Sequence, residues 1–273
     1  MGMTRGRAGR RPWGGWLVTG LLLAGCGQQT SPTASSDGAV AEKRLGEKAS
    51  AGESADVVDA LFLGSGPLIP RDGVTACFLP AVWSGFPRGT TVRVRVSTTV
   101  SSAVQEVIRS AAAQVGPATN GGLHVLVEPT DDLRPRPAGR DVTVTAVASP
   151  RAEGCPTSVG CVLPEFLGRG ILLGVRVVEP ASPAANAAVR DVVGHGVLGL
   201  CRIDAKRIGG AANSLMSAGP GVRPGDNAGG LTSLDEAAVR AVYTSTLNPG
   251  AARADFLRAG LVNLQLGEAP RAR

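Results

Sequence analysis

The stretch Ala188–Gly219, AVRDVVGHGVLGLCRIDAKRIGGAANSLMSAG, decides how this chain is read. Its first part closes a helix expected from about Pro183 to Cys201, on which Asp191 and His195 stand four residues apart and therefore on one face. Gly199 follows within Leu198-Gly199-Leu200-Cys201, and after a loop comes Asn213-Ser214-Leu215-Met216. Met216 is one of only three methionines, the other two lying at the extreme N-terminus. Farther on, Leu231 to Tyr243 predicts another helix. Thr232 and Ser233 are N-cap residue types, with Asp235 and Glu236 three positions on, the spacing of a capping box. Leu234, Ala238, Val242 and Tyr243 supply an apolar stripe at helical spacing.

Helix, glycine, methionine turn and final helix together resemble the metzincin zinc peptidases, and within them the matrixin-like bacterial ones. Their signature is H-E-x-x-H-x-x-G-x-x-H followed by a turn carrying Met. Two His lie on one helix face, Glu beside the first acts as general base, and the Gly lets the chain turn so that a third His closes the zinc site. Asn213–Met216 is similar to the Met-turn. Leu231–Tyr243 is similar to the matrixin C-terminal helix, which opens L-[ST]-x-x-D and closes near L-Y.

The zinc-binding residues themselves are gone. Counted without gaps from Gly199, the first His position holds Val192, the Glu position Val193, the second His position Gly196 and the third Arg202. None of these binds zinc or takes a proton from water at neutral pH, and Arg202 sets a fixed positive charge where a dication should sit. Counted instead from Gly194-His195, the three ligand positions hold Asp191, His195 and Cys201, all chemically able to bind a metal. Val192 then replaces the base and Leu198 the turning glycine. With two His in the whole chain, a three-His site is excluded. The plain alternative for His195 is a buried or partly exposed helix histidine. His124, alternating with apolar neighbours in Leu123–Val127, reads as the polar side of a strand.

Working outward, Thr91–Ser97 alternates strictly and predicts a strand. Ser101 or Ser102 then caps a helix to about Val115, with Val104, Val107, Ile108 and Ala111 on one side. Leu123–Val127 and Asp141–Val147 predict two further strands, and the continuous apolar run Ile171–Val178 a strand buried on both faces. This is the element order the resemblance implies. The expected fold is α+β, a single zincin-like domain over residues 59–273 in which a twisted mixed sheet carries an active-site-type helix, a Met-turn and a C-terminal helix. Residues 189–243 carry the resemblance most strongly. Ala251–Leu266 is expected to pack on that domain as a short helix or tail.

The N-terminus reads differently. Arg5, Arg7, Arg10 and Arg11 precede an apolar run from Trp13 to Leu23, and Leu23-Ala24-Gly25-Cys26 resembles a bacterial lipobox. Residues 1–25 are expected to be a cleaved lipoprotein signal, with Cys26 lipidated and 26–58 a flexible tether rich in small and charged residues. Four positive charges leave with the signal, so the formal +6 falls to near +2. With aromatic content at 3% as well, nothing favours a nucleic-acid partner. Four cysteines remain, Cys77, Cys155, Cys161 and Cys201, an even number suited to an oxidising compartment. Cys155 and Cys161 bracket a short loop and are natural partners, which leaves Cys77 with Cys201; four cysteines allow three pairings and spacing does not choose among them.

The resemblance thus implies an envelope-anchored, extracytoplasmic bacterial lipoprotein that keeps a peptidase-like cleft. It would bind a polypeptide or envelope component without cutting it and would carry no cofactor. Two alternatives stand beside this one: an active zinc endopeptidase using Asp191, His195 and Cys201, and a structural envelope lipoprotein of unrelated fold.

Overall fold

The computed structural model describes residues 51–65, 77–134, 139–204, 214–218 and 229–262. Cys26, the signal segment 1–25 and most of the expected tether lie outside these residues.

A five-stranded sheet organises the domain in the order β2-β1-β3-β5-β4, with β1 Thr90–Val96, β2 Leu123–Pro129, β3 Asp141–Val147, β4 Cys161–Gly168 and β5 Ile171–Pro180. β2, β1, β3 and β5 run parallel, and β4 pairs antiparallel with β5 at one edge. The sheet is mixed, as expected. β4 itself was not legible: CVLPEFLG contains Pro164 and does not alternate, which suits an edge strand that needs no full ladder.

Alternation places Val92, Val94 and Val96 of β1 in the core. Arg95, on the opposite side, is nevertheless fully buried and pairs with Asp141 at 3.3 Å. Its guanidinium also donates to the Arg134 and Asp132 carbonyls. Asp141 neutralises this buried arginine, because a desolvated charge requires a partner.

Helix α2 (Ser102–Ala113) is capped by the Ser101 hydroxyl, which accepts from the Val104 N–H, and buries Val104, Ile108, Ala111 and Ala112. The short α3 (Val115–Ala118) follows it. α4 (Ala185–Val189) continues without a break into a π-helix, Arg190–Val197. This combined site helix touches α2 and packs on β3, β4 and β5. It ends four residues before Cys201, since Gly199 turns the chain.

Beyond it lie the two-residue parallel strands β6 (Ile203–Asp204) and β7 (Ser217–Ala218), then α5 (Ser233–Thr244) and α6 (Arg253–Arg258). The N-terminal helix α1 (Ala51–Leu63) begins inside the stretch expected to be tether. Val57 and Val58 are buried with Leu61, Phe62 and Leu63, so the folded unit starts before residue 59. Phe62 meets Trp83 edge to face, and both rings contact Phe256 of α6, which confirms that the Ala251–Leu266 region packs inward as far as it is described.

Both disulfides exist, Cys77–Cys201 and Cys155–Cys161. They indicate an oxidising, extracytoplasmic location. Among the described residues no helix is long and apolar enough to cross a membrane.

Candidate functional site

The site helix widens where the sequence is smallest. In the π segment, the Leu198 N–H donates to the Val193 carbonyl five residues back; beyond it, the Leu200 N–H reaches across the Gly199 turn to the Gly194 carbonyl, six residues back. A π turn carries one residue more than an α turn, and such insertions recur at functional positions. Two glycines let the widened helix approach its neighbours. A Cβ on Gly196 would stand 3.1 Å from Val142 and 3.7 Å from Val175, so this position faces the sheet. A Cβ on Gly194 would lie 2.1 Å from the Met216 sulfur, so Met216 packs directly against the helix backbone there.

Gly199 then makes the turn, with φ +67°, and a Cβ in its place would meet the Ser84 carbonyl oxygen at 1.7 Å. Backbone conformation and contact both demand glycine. Leu198, which the count from His195 puts at the turning position, stays helical. Gly199 supplies the turn that ends the helix, and Asp191 and His195 stand on the π segment before it. Val192, Val193 and Gly196 are buried, the valines completely.

The Met216 turn is fixed by a carboxylate. Asp235 accepts from the Leu215 N–H at 2.7 Å, the Thr232 N–H at 3.0 Å, the Thr232 hydroxyl at 2.9 Å and the Ser214 hydroxyl. Thr232 returns the bond by accepting from the Asp235 N–H, completing the capping box of α5. The Met216 N–H donates to Ser214 Oγ at 3.0 Å. One side chain therefore caps a helix and clamps the turn. The capping role was legible in Thr232 and Asp235; the clamp, joining residues twenty positions apart, was not.

Around His195 the electrostatics run against a cation. His195 is 7% exposed, and burial drives its imidazole down to about 4, with Arg190 and Arg202 lowering it further against Asp191. It is neutral at physiological pH. Asp191 is held by Arg190 at 3.1 Å. Cys201 is consumed in the disulfide with Cys77 and buried, so it offers no thiolate, and the Asp191, His195 and Cys201 ligand set fails at its third member. Among the described residues no group of three or more His, Cys, Asp or Glu converges as a metal site. The residues present do not fit zinc: a paired carboxylate, a histidine under two guanidinium charges, and a cystine. His124 is exposed on β2, away from this cluster.

One acid escaped notice in the sequence. Glu179, near the end of β5, is 1% exposed, and its Oε1 has no hydrogen-bond partner among the described residues. Burial first, and the charge of Asp191 second, push its carboxyl up to about 8, against a lowering by Arg190. It is mostly protonated at neutral pH. Only its place at the end of an apolar strand, Val177-Val178-Glu179-Pro180, signalled it. No protein-family model matches this chain, and no curated protein matches it either.

Proposed function

We propose that this chain is a metzincin-like pseudo-peptidase, an extracytoplasmic lipoprotein anchored through Cys26 that binds a polypeptide or envelope component without hydrolysing it. One observation supports the reading: a turning glycine and a methionine packed on the helix, which resemble the supports of a peptidase site, stand together without the residues that would do its chemistry. Gly199 still turns the chain and Met216 still lies against the site helix. Yet both valines beside the polar pair are buried and no carboxylate stands at the base position. Without a positioned base, proton transfer loses about 10²–10⁴-fold.

The alternative, an active zinc enzyme, draws on Asp191 and His195 standing four residues apart, and now lacks Cys201 as a ligand. The test is metal content and casein hydrolysis by the mature chain from residue 27, prepared without a chelating tag. No bound zinc and no cleavage are expected. Stoichiometric zinc lost in His195→Ala, with casein cleavage abolished by a chelator, overturns the reading.

A further inference from the structure

The seam between edge strand β4 and the site helix is filled from within the chain. Phe78 stands in it. Its ring meets Phe166 of β4 edge to face, with centroids 6.5 Å apart at 82°. On its other side it lies 6.0 Å from the His195 ring, inclined at 39°. Phe78 belongs to no helix or strand, so its position must be imposed by neighbours. Cys77 just before it is bonded to Cys201, in the loop leaving the site helix. A few residues later the Ala81 N–H donates to the Leu63 carbonyl at 2.8 Å, and the Trp83 N–H to Ala251 at 2.9 Å. The segment is thus clamped on both sides of Phe78. The phenyl ring keeps part of its surface in solvent, whereas His195 beneath it is nearly sealed.

We propose that Cys77–Pro80 is an autoinhibitory strap in which Phe78 closes the seam over His195, so that any polypeptide entering must first displace the phenyl ring; the seam's role as a cleft rests on the function proposed above. The occupant is well matched to its place. An aromatic ring gains edge-to-face contact with Phe166 and lies against an imidazole that carries no charge at neutral pH. Being tethered, it competes at a high effective concentration, on the order of millimolar for a short link. Since Cys77 is bonded in place, the strap does not leave as a whole. Opening is a rotation of the Phe78 side chain to another rotamer.

The two histidines make this measurable. Diethylpyrocarbonate acylates accessible neutral imidazoles, and His124, exposed on β2, is an internal control. In the wild-type mature chain, peptide mapping should find His124 modified and His195 protected. In Phe78→Ala the His195 rate should rise about tenfold or more with His124 unchanged, as local opening becomes easier. Phe78→Leu, which keeps most of the apolar bulk, should give a smaller rise of about twofold and serves if the alanine variant does not fold. A His195 rate unchanged in the folded variants, or equal to that of His124 in the wild type, overturns the strap. Fluorescent denatured casein, added to the same proteins, separates the two ideas. Tighter binding by Phe78→Ala, about tenfold, supports both. Casein binding equal in wild type and Phe78→Ala overturns the strap alone, whereas an opened His195 without casein binding by either protein overturns the polypeptide-binding function and the autoinhibition that rests on it.

Discussion

Asp235 and Glu179 are both carboxyl side chains withdrawn from water, and their surroundings differ in what they offer a charge. Asp235 receives two backbone N–H groups and two hydroxyls, and holds α5 to the Met216 turn. Burial still raises its carboxyl above the ordinary range, but each of those bonds works to bring it down. Glu179 has an oxygen without a partner among the described residues and a second acid, Asp191, nearby. The first is an acid used as a structural clamp. The second shares its surroundings with Asp191, whose charge raises it, and is itself left with a buried oxygen unpartnered among the described residues, a perturbed acid of the kind that collects at functional sites.

The largest effect should come from removing the well-supported acid. Asp235→Ala strands several donors and removes the α5 cap, and should lower unfolding free energy by about 3–5 kcal/mol in denaturant titration. A loss below about 1 kcal/mol would mean that water or a neighbouring group replaces the clamp. Next in size is Gly199→Ala, which imposes left-handed backbone strain together with a collision on Ser84. A loss of about 2–4 kcal/mol is expected, read as a lower thermal midpoint.

The poorly supported acid should behave in the opposite sense, and only at the right pH. Glu179 is raised in the folded state, so its contribution to stability is complete below the ordinary carboxylate range and is lost as pH climbs through about 8. Glu179→Gln should therefore stabilise the protein at pH 8 by on the order of 1 kcal/mol while changing little at pH 4. Equal effects at both pH values would show that the carboxyl is not buried as described. His195 runs the other way. Its pKa is lowered, so its contribution is complete above about 6.5 and fades as pH falls through about 4. His195→Gln should flatten the acid limb of the stability profile by at most about 1.4 kcal/mol per pH unit, and leave pH 8 untouched.

Much of the scaffold was legible because its signals are local. Asp141–Val147 alternates and forms a strand over that same range, and Ser101 and Thr232 cap helices where their hydroxyls predict. β4 was hidden by Pro164 and by lying at an edge, and α1 by a leading stretch, Ala51–Ala55, of small and polar residues. In the candidate site, the sequence offered two ways of counting from the same helix and could not choose. The structure instead shows a π turn there, with Gly194 close to Met216 and Gly196 close to Val142, contacts between distant parts of the chain.

By itself, the sequence determined the strands β1, β2, β3 and β5, the apolar stripe of α2 and the caps of α2 and α5, since each is a matter of residue type and short-range period. Tertiary structure alone decided that Cys201 is lost to a disulfide, that Glu179 is held largely protonated, and that Phe78 lies over His195. Those outcomes depend on which groups from distant parts of the chain are pressed together and kept from water. Desolvation and contact geometry, unlike helix period or capping, leave no mark in neighbouring residues.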